Sequence, residues 1–128
     1  MNEPVFIPRA VVELFHRRSL DEHGGRDGIR DENALESALA QPMHTYFYGY
    51  GDLHDIAAAY AFHLAENQPF IDGNKRTAIA TALAFLEANG IATDRLTDEQ
   101  LYDAMIAFAE KRLDKSALAD VFRRCLSP

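Results

Sequence analysis

The ten residues 67–76 read NQPFIDGNKR and separate two stretches of helical sequence. Pro69 ends the preceding helix, because proline lacks the N–H that a helix interior requires. Gly73 permits a backbone conformation that other residues rarely adopt. The triplet Asn-Lys-Arg then opens an alanine-rich apolar stretch, so the sequence predicts a polar, cationic loop at the start of a buried helix.

From the residues alone, two interpretations of this loop stay open. In the first, free N–H groups at the helix start bind an anion, and Lys75 and Arg76 strengthen the attraction. Asp72 then holds Mg²⁺, which prefers a carboxylate together with phosphate oxygens. In the second, Asp72 only caps the helix and the two cations are solvated or paired with glutamates. Cations in a first turn oppose the helix dipole, which is a mild argument for function.

Along the rest of the chain, apolar residues recur at helical spacing. In the first helix the apolar stripe consists of Val11, Leu14 and Phe15. The fifth helix begins with a capping box of Thr97 and Gln100. The fourth helix has little polar face and is expected to be central. The pattern predicts an all-α protein of six helices, over residues 8–19, 31–40, 52–66, 74–89, 97–112 and 115–126.

An aromatic segment interrupts the helical pattern. Pro42 is expected to end the second helix, and residues 43–51, MHTYFYGYG, suit an extended segment or a small hairpin. The segment is either an aromatic loop packed on the core or a flap beside a binding site. A flap would bind the backbone of a target protein as an added strand. The candidate flap residues are Thr45, Tyr46, Phe47 and Tyr48.

Composition limits the class of protein. The 128 residues, 48% hydrophobic and 26% charged, suit one globular domain over residues 1–128. The net charge of −7 argues against sequence-independent DNA binding, which depends on lysine and arginine. One cysteine excludes an intrachain disulfide. Neither a secretory signal nor an apolar membrane span is visible, so we expect a cytoplasmic protein without membrane contact.

Residues 67–76 resemble the motif of the Fic/Doc family, His-x-Phe-x-Asp/Asn-Gly/Ala-Asn. Fic proteins continue with Gly-Lys/Arg, whereas the death-on-curing (Doc) toxin branch continues with Lys-Arg, as here. Residues 30–42, RDENALESALAQP, look like the helix upstream of the motif in this family. The resemblance implies a compact bundle of about six helices around a buried central helix. The residues that match the Doc form of the motif are Phe70, Asp72, Gly73, Asn74, Lys75 and Arg76.

This resemblance also implies an activity. Doc-like members transfer the γ-phosphate of ATP to a threonine of elongation factor Tu and so arrest translation. Fic proteins instead transfer AMP, and Lys75 stands where their second glycine accommodates the phosphates, so its side chain should crowd that pose. The implied roles are anchoring of the loop for Phe70, Mg²⁺ binding or orientation of the base for Asp72, an anion cradle for Gly73 and Asn74, and phosphate binding and charge compensation for Lys75 and Arg76.

One departure from the motif concerns the general base. The family has a histidine where this chain has Gln68, and an amide cannot accept a proton near neutral pH. Loss of a general base typically costs about 10²–10⁴-fold in rate, so we expect a weak or inactive enzyme. His63, five residues earlier, is not expected to substitute. The substitution was either introduced or selected to make a toxic protein tolerable, which the intact remainder of the motif favours, or the chain is a decayed natural copy.

Regulation is expected to come from another protein. The inhibitory pattern Ser/Thr-x-x-x-Glu-Gly/Asn of many Fic proteins is missing from the sequence. The resemblance implies a small Phd-like antitoxin that closes the site and carries the DNA-binding surface, so that DNA is contacted only indirectly. Two alternatives stay open: an enzyme that transfers AMP despite Lys75, and an inactive module that binds antitoxin and modulates operator repression.

Overall fold

The structure is a computed structural model, and it describes residues 3–111 and 114–126. Within these residues the only β-pairing is an isolated antiparallel bridge between Ile29 and Phe70. The all-α prediction is therefore confirmed, and the predicted end of the fifth helix near residue 112 lies outside the described residues. The helices are α1 (Arg9–His23), α2 (Glu32–Phe47), α3 (Leu53–Asn67), α4 (Asn74–Ala88), α5 (Asp98–Ala109) and α6 (Lys115–Leu126).

The central helix of the bundle is α3, which packs against α2, α4 and α6. Its side chains Ile56, Tyr60 and Leu64 are buried together with four alanines, whose small size lets the neighbouring helices approach closely. A buried central helix was expected, but at α4. Instead α4 packs between α1 and α3 and leaves Ile79 and Leu83 only partly buried.

The buried face of α1 differs from the predicted stripe. Its buried residues are Val12, His16 and Ser19, whereas Leu14 is 53% exposed. The prediction was wrong because apolar spacing alone does not reveal a face that is buried through polar contacts. The helix also runs four residues further than predicted, to His23.

The second helix continues through Pro42 to Phe47, so the expected stop at this proline and the extended segment or hairpin after it are both wrong. A proline in a helix interior removes one hydrogen bond. The longer helix brings the rings of Tyr46 and Phe47 to 6.1 and 6.4 Å from Phe6. Of the candidate flap, Thr45, Tyr46 and Phe47 form the last helical turn, and Tyr48 is its C-cap.

Other helix ends follow the sequence closely. The predicted capping box is confirmed, because Thr97 Oγ1 accepts the Gln100 N–H at 3.1 Å and Gln100 Oε1 accepts the Thr97 N–H at 2.9 Å. Asp31 caps α2 by accepting the Ala34 N–H at 3.0 Å. Across the described ranges, every helix is too short or too polar to cross a membrane.

Candidate functional site

The loop between α3 and α4 is held against residues 24–31 by backbone hydrogen bonds. The Arg30 N–H donates to Pro69 O at 2.7 Å, and the Ile71 N–H donates to Gly28 O at 3.0 Å. These bonds flank the Ile29–Phe70 bridge, so the peptide groups on either side of Phe70 face residues 28–30. The loop is therefore held in position by its backbone, independently of its side chains.

The side chain of Asn74 holds the opposite edge of Phe70. Asn74 Oδ1 accepts the Phe70 N–H at 2.9 Å, and Asn74 Nδ2 donates to Phe70 O at 2.9 Å. The N–H and C=O groups of the buried residue Phe70 both have hydrogen-bond partners as a result. Because the amide of Asn74 is engaged in this way, its contribution to an anion cradle is limited to its backbone N–H.

Phe70 and Asp72 are both held by a histidine of α1. The rings of His16 and Phe70 stack with centroids 3.9 Å apart and planes within 10° of parallel. His16 Nε2 lies 2.8 Å from Asp72 O, and since a carbonyl only accepts, Nε2 carries the proton. His16 was not among the residues predicted for the site, although its position on the same helix face as Val12 and Ser19 is a signal that could have identified it.

Asp72 does not cap α4. Its Oδ2 accepts the Arg26 N–H at 2.8 Å, and the N-cap is Gly73, with φ of 81° and no side-chain hydrogen bond. The part of the chain that the structure describes contains no cluster of three His, Cys, Asp or Glu residues suited to a metal. Mg²⁺ often binds through one carboxylate plus substrate phosphates, and the second oxygen of Asp72 fits that mode.

The two cations at the start of α4 differ in their contacts. Arg76 Nε donates to Ser19 Oγ of α1 at 2.9 Å, which draws its guanidinium toward α1. Lys75 is exposed and, among the residues described, forms no ion pair. Neither cation is paired with a glutamate there, whereas the exposure of Lys75 fits the solvated state that the second interpretation also allowed. The first N–H groups of α4 lack intrahelical acceptors, so two cations stand at a helix end whose free N–H groups suit an anion.

Position 68 lies directly after α3, at its C-cap. Gln68 adopts a left-handed conformation with φ of 46° and ψ of 57°, and its side chain is exposed. His63 lies one and a half turns earlier, where its Nε2 is 3.1 Å from Lys115 Nζ of α6. Burial and the Lys115 ammonium lower the pKa of His63 to about 4. This histidine therefore packs against α6 and is engaged away from the loop.

A groove of about 440 Å³ runs between α1 and α4. Phe15, Ile79 and Leu83 line its apolar part, and Arg76 and Ser19 lie at one end. The groove thus adjoins the start of α4. The groove could not be predicted from the sequence, because it arises from the relative placement of two helices that are distant in the chain.

Comparison with known proteins finds a matching family and related chains. The family model described as Fic/DOC family matches residues 6–86. Protein kinase doc of Escherichia phage P1 is 30% identical over 118 residues, which cover 91% of each chain. Toxin Doc of Mycolicibacterium smegmatis is 39% identical over 100 residues, which cover 75% of this chain and 76% of that one.

This chain belongs to the Fic/DOC family. Both relatives place it in the Doc branch of the family, as the Lys-Arg ending of the motif predicts. One relative is named as a toxin and the other as a protein kinase, so the chain is a Doc-type protein with a toxin and a protein kinase among its relatives.

Proposed function

We propose that this chain has the scaffold of a toxin that transfers the γ-phosphate of ATP to a threonine of elongation factor Tu, and that Gln68 leaves it weak or inactive. The observation that carries the proposal is the arrangement around the loop. The start of α4 offers N–H groups and two cations, while the base position carries an amide. Phe70 and Asp72 are both fixed by contacts with His16, and Asn74 is fixed by two hydrogen bonds to the backbone of Phe70.

Nucleotide binding would fall to the first turn of α4. Backbone N–H groups there suit the oxygens of a triphosphate, and Lys75 extends an exposed ammonium over the same turn. Arg76, held by Ser19, adds a positioned guanidinium. Asp72 would bind Mg²⁺, which supplies charge neutralisation between the phosphates when it is bound. Phe70 anchors the loop from inside the core.

The reaction requires a base at position 68. A base takes the proton from the threonine hydroxyl while the hydroxyl oxygen forms a bond to the γ-phosphorus. The bond between that phosphorus and the β–γ bridging oxygen breaks, and ADP leaves with the electron pair. Lys75 and Arg76 would offset the charge that develops on the transferred group. Gln68 can only hydrogen-bond to the hydroxyl, so this chain positions its substrates without removing the proton.

Transfer of AMP is the second candidate, and the side chain at Lys75 argues against it. In that reaction the α-phosphate lies on the helix start, where a glycine would leave room. The third candidate is an inactive module that binds antitoxin. A titration with ATP and Mg²⁺ distinguishes these candidates, because binding would favour either of the two enzymes and its absence would favour the inactive module.

Control would come from an antitoxin of the Phd type. The groove between α1 and α4 suits an amphipathic helix, because Phe15, Ile79 and Leu83 offer an apolar floor. Its end at Arg76 would let a bound segment reach the phosphate-binding turn. The acidic chain itself would contact DNA only through this partner, and we propose that both act in the cytoplasm.

The test compares the chain as it stands with Gln68→His, each expressed with its antitoxin and then freed from it. Each protein is incubated with elongation factor Tu, ATP and Mg²⁺, and the intact mass of the factor is measured. Gln68→Ala serves as the matched control, since it lacks both the amide and a base. We expect one phosphoryl group to be added by Gln68→His alone.

Other results would redirect the proposal. Addition of an adenylyl group would show that Lys75 does not exclude the AMP pose. If Gln68→His binds ATP but modifies nothing, elongation factor Tu is not the target. If no variant binds ATP, the inactive module becomes the better account.

A further inference from the structure

The guanidinium of Arg30 lies at the carboxyl end of α3. Arg30 Nε donates to Gln68 O at 2.6 Å, and Arg30 Nη2 donates to Asn67 O at 2.8 Å. The backbone N–H groups of Arg30 and Asp31 donate to Pro69 O at 2.7 and 3.1 Å. Two adjacent residues of the α1–α2 loop thus hold three consecutive carbonyls around the base position.

This contact stabilises an unfavourable backbone conformation. A residue with a Cβ is strained in the left-handed region, and such residues persist where the surroundings fix them. Gln68 has φ of 46°, and the last carbonyls of a helix carry partial negative charge that attracts a cation. The planar fork of Arg30 satisfies two of these carbonyls at once, which an ammonium cannot do in the same geometry.

We infer that Arg30 is a positioning residue that sets the direction of the side chain at position 68. The inference rests on the proposed function, because position 68 matters as the site of the base. The Cα–Cβ direction there follows from φ and ψ, which the carbonyl contacts of Arg30 fix. Without the fork, the residue relaxes toward the extended values that a residue before proline prefers, and its side chain leaves the direction that these contacts set.

A spectroscopic test needs no activity. The Cα and Cβ chemical shifts of Gln68 report whether its φ is positive. They are measured in the full chain, in Arg30→Ala and in Arg17→Ala. Arg17 is the matched control, because its guanidinium pairs with Asp27 at 3.1 Å and, in the described part of the chain, makes no hydrogen bond to residues 67–69. We expect the Gln68 shifts to leave left-handed values in Arg30→Ala alone.

A kinetic test uses the Gln68→His background. A misplaced catalytic group typically loses rate far more than substrate affinity, so Arg30→Ala should lower kcat about 10- to 100-fold with an unchanged KM for ATP. Arg17→Ala should leave both constants unchanged. Arg30→Lys, which keeps a cation without the fork, should give intermediate shifts and rates, and it serves if Arg30→Ala does not fold.

Two results would overturn the inference. One is unchanged Gln68 shifts in Arg30→Ala, and the other is a raised KM for ATP with unchanged kcat. If Gln68→His shows no transfer at all, the proposed function fails, while the chemical shifts still decide whether Arg30 sets the conformation of position 68.

Discussion

Replacing Asn74 by alanine tests whether its side chain holds the loop. The change removes the two hydrogen bonds of 2.9 Å to the backbone of Phe70. Each such bond contributes about 0.5–1.5 kcal/mol net, and a buried group left without a partner costs about 1–3 kcal/mol. Phe70 is only 2% exposed, so its N–H and C=O gain little water in exchange. We therefore expect a loss of about 2–4 kcal/mol in the free energy of unfolding.

The chain offers a matched control for this change. Asn89 binds Val5 in the same two-sided way, with its Oδ1 2.8 Å from Val5 N and its Nδ2 2.9 Å from Val5 O. Both bonds to Val5 are exposed, so water replaces them. Asn89 Nδ2 also donates to Phe85 O at 2.8 Å in a partly buried bond, so Asn89→Ala leaves one partly buried backbone group without this partner and should cost less than Asn74→Ala, which leaves two. Asn74→Asp keeps an acceptor for the Phe70 N–H but turns a second acceptor toward Phe70 O, so it should destabilise at least as much as alanine.

Urea denaturation of the three variants beside the parent chain measures these differences. The expected order of destabilisation places both Asn74 variants above Asn89→Ala. An Asn74→Ala variant as stable as Asn89→Ala would refute the argument that the amide is a structural clamp. The Asn74 side chain would then again be a candidate for binding the anion.

Three further predictions concern other contacts. Gly73→Ala places a Cβ in the left-handed region, at φ of 81°, and should lose about 1–2 kcal/mol in unfolding experiments. Gly24→Ala places one at φ of 76° and ψ of −178°, a region almost restricted to glycine, and should lose about 1–3 kcal/mol. Only Gly73→Ala should also weaken ATP binding measured by calorimetry. His63 has a pKa of about 4 in the folded protein, lowered by burial and a neighbouring ammonium from its ordinary 6.5. The unfolded chain therefore binds the proton first, so stability falls as pH drops from about 6.5 to 4, and His63→Gln should flatten this dependence in denaturation experiments. Although burial raises the pKa of Asp52, hydrogen bonds from Arg123 and a backbone N–H bring it to about 2. The ionised Asp52 therefore stabilises the folded protein above pH 3.8, and this stabilisation is lost as the pH falls toward 2. Arg123→Gln should accordingly lower the melting temperature at neutral pH and much less near pH 2.

Most of the helices could be predicted from the sequence because their signals are local. The capping box of Thr97 and Gln100 and the cap at Asp31 involve residues three positions apart. The end of α2 was predicted wrongly for a different reason. A single proline costs one hydrogen bond, and contacts of Tyr46 and Phe47 with Phe6, about forty residues away, favour continuing the helix.

The motif could be found from the sequence, but its supporting contacts could not. Short spacing identifies Asp72 and the residues that follow it. His16 lies 56 positions from Asp72, and Arg30 lies 38 positions from Gln68, so their roles depend on how the helices pack. The groove beside Arg76 depends in the same way on α1 meeting α4.

The central claim is that one residue, at position 68, limits an otherwise complete phosphotransferase site. The most direct measurement is the ratio of phosphate-transfer rates to elongation factor Tu for the parent chain, Gln68→His and Gln68→Ala under identical conditions. We predict that the parent and Gln68→Ala transfer at similar slow rates, and that Gln68→His is faster by about 10²–10⁴-fold. A parent chain that transfers phosphate as fast as Gln68→His would contradict the claim.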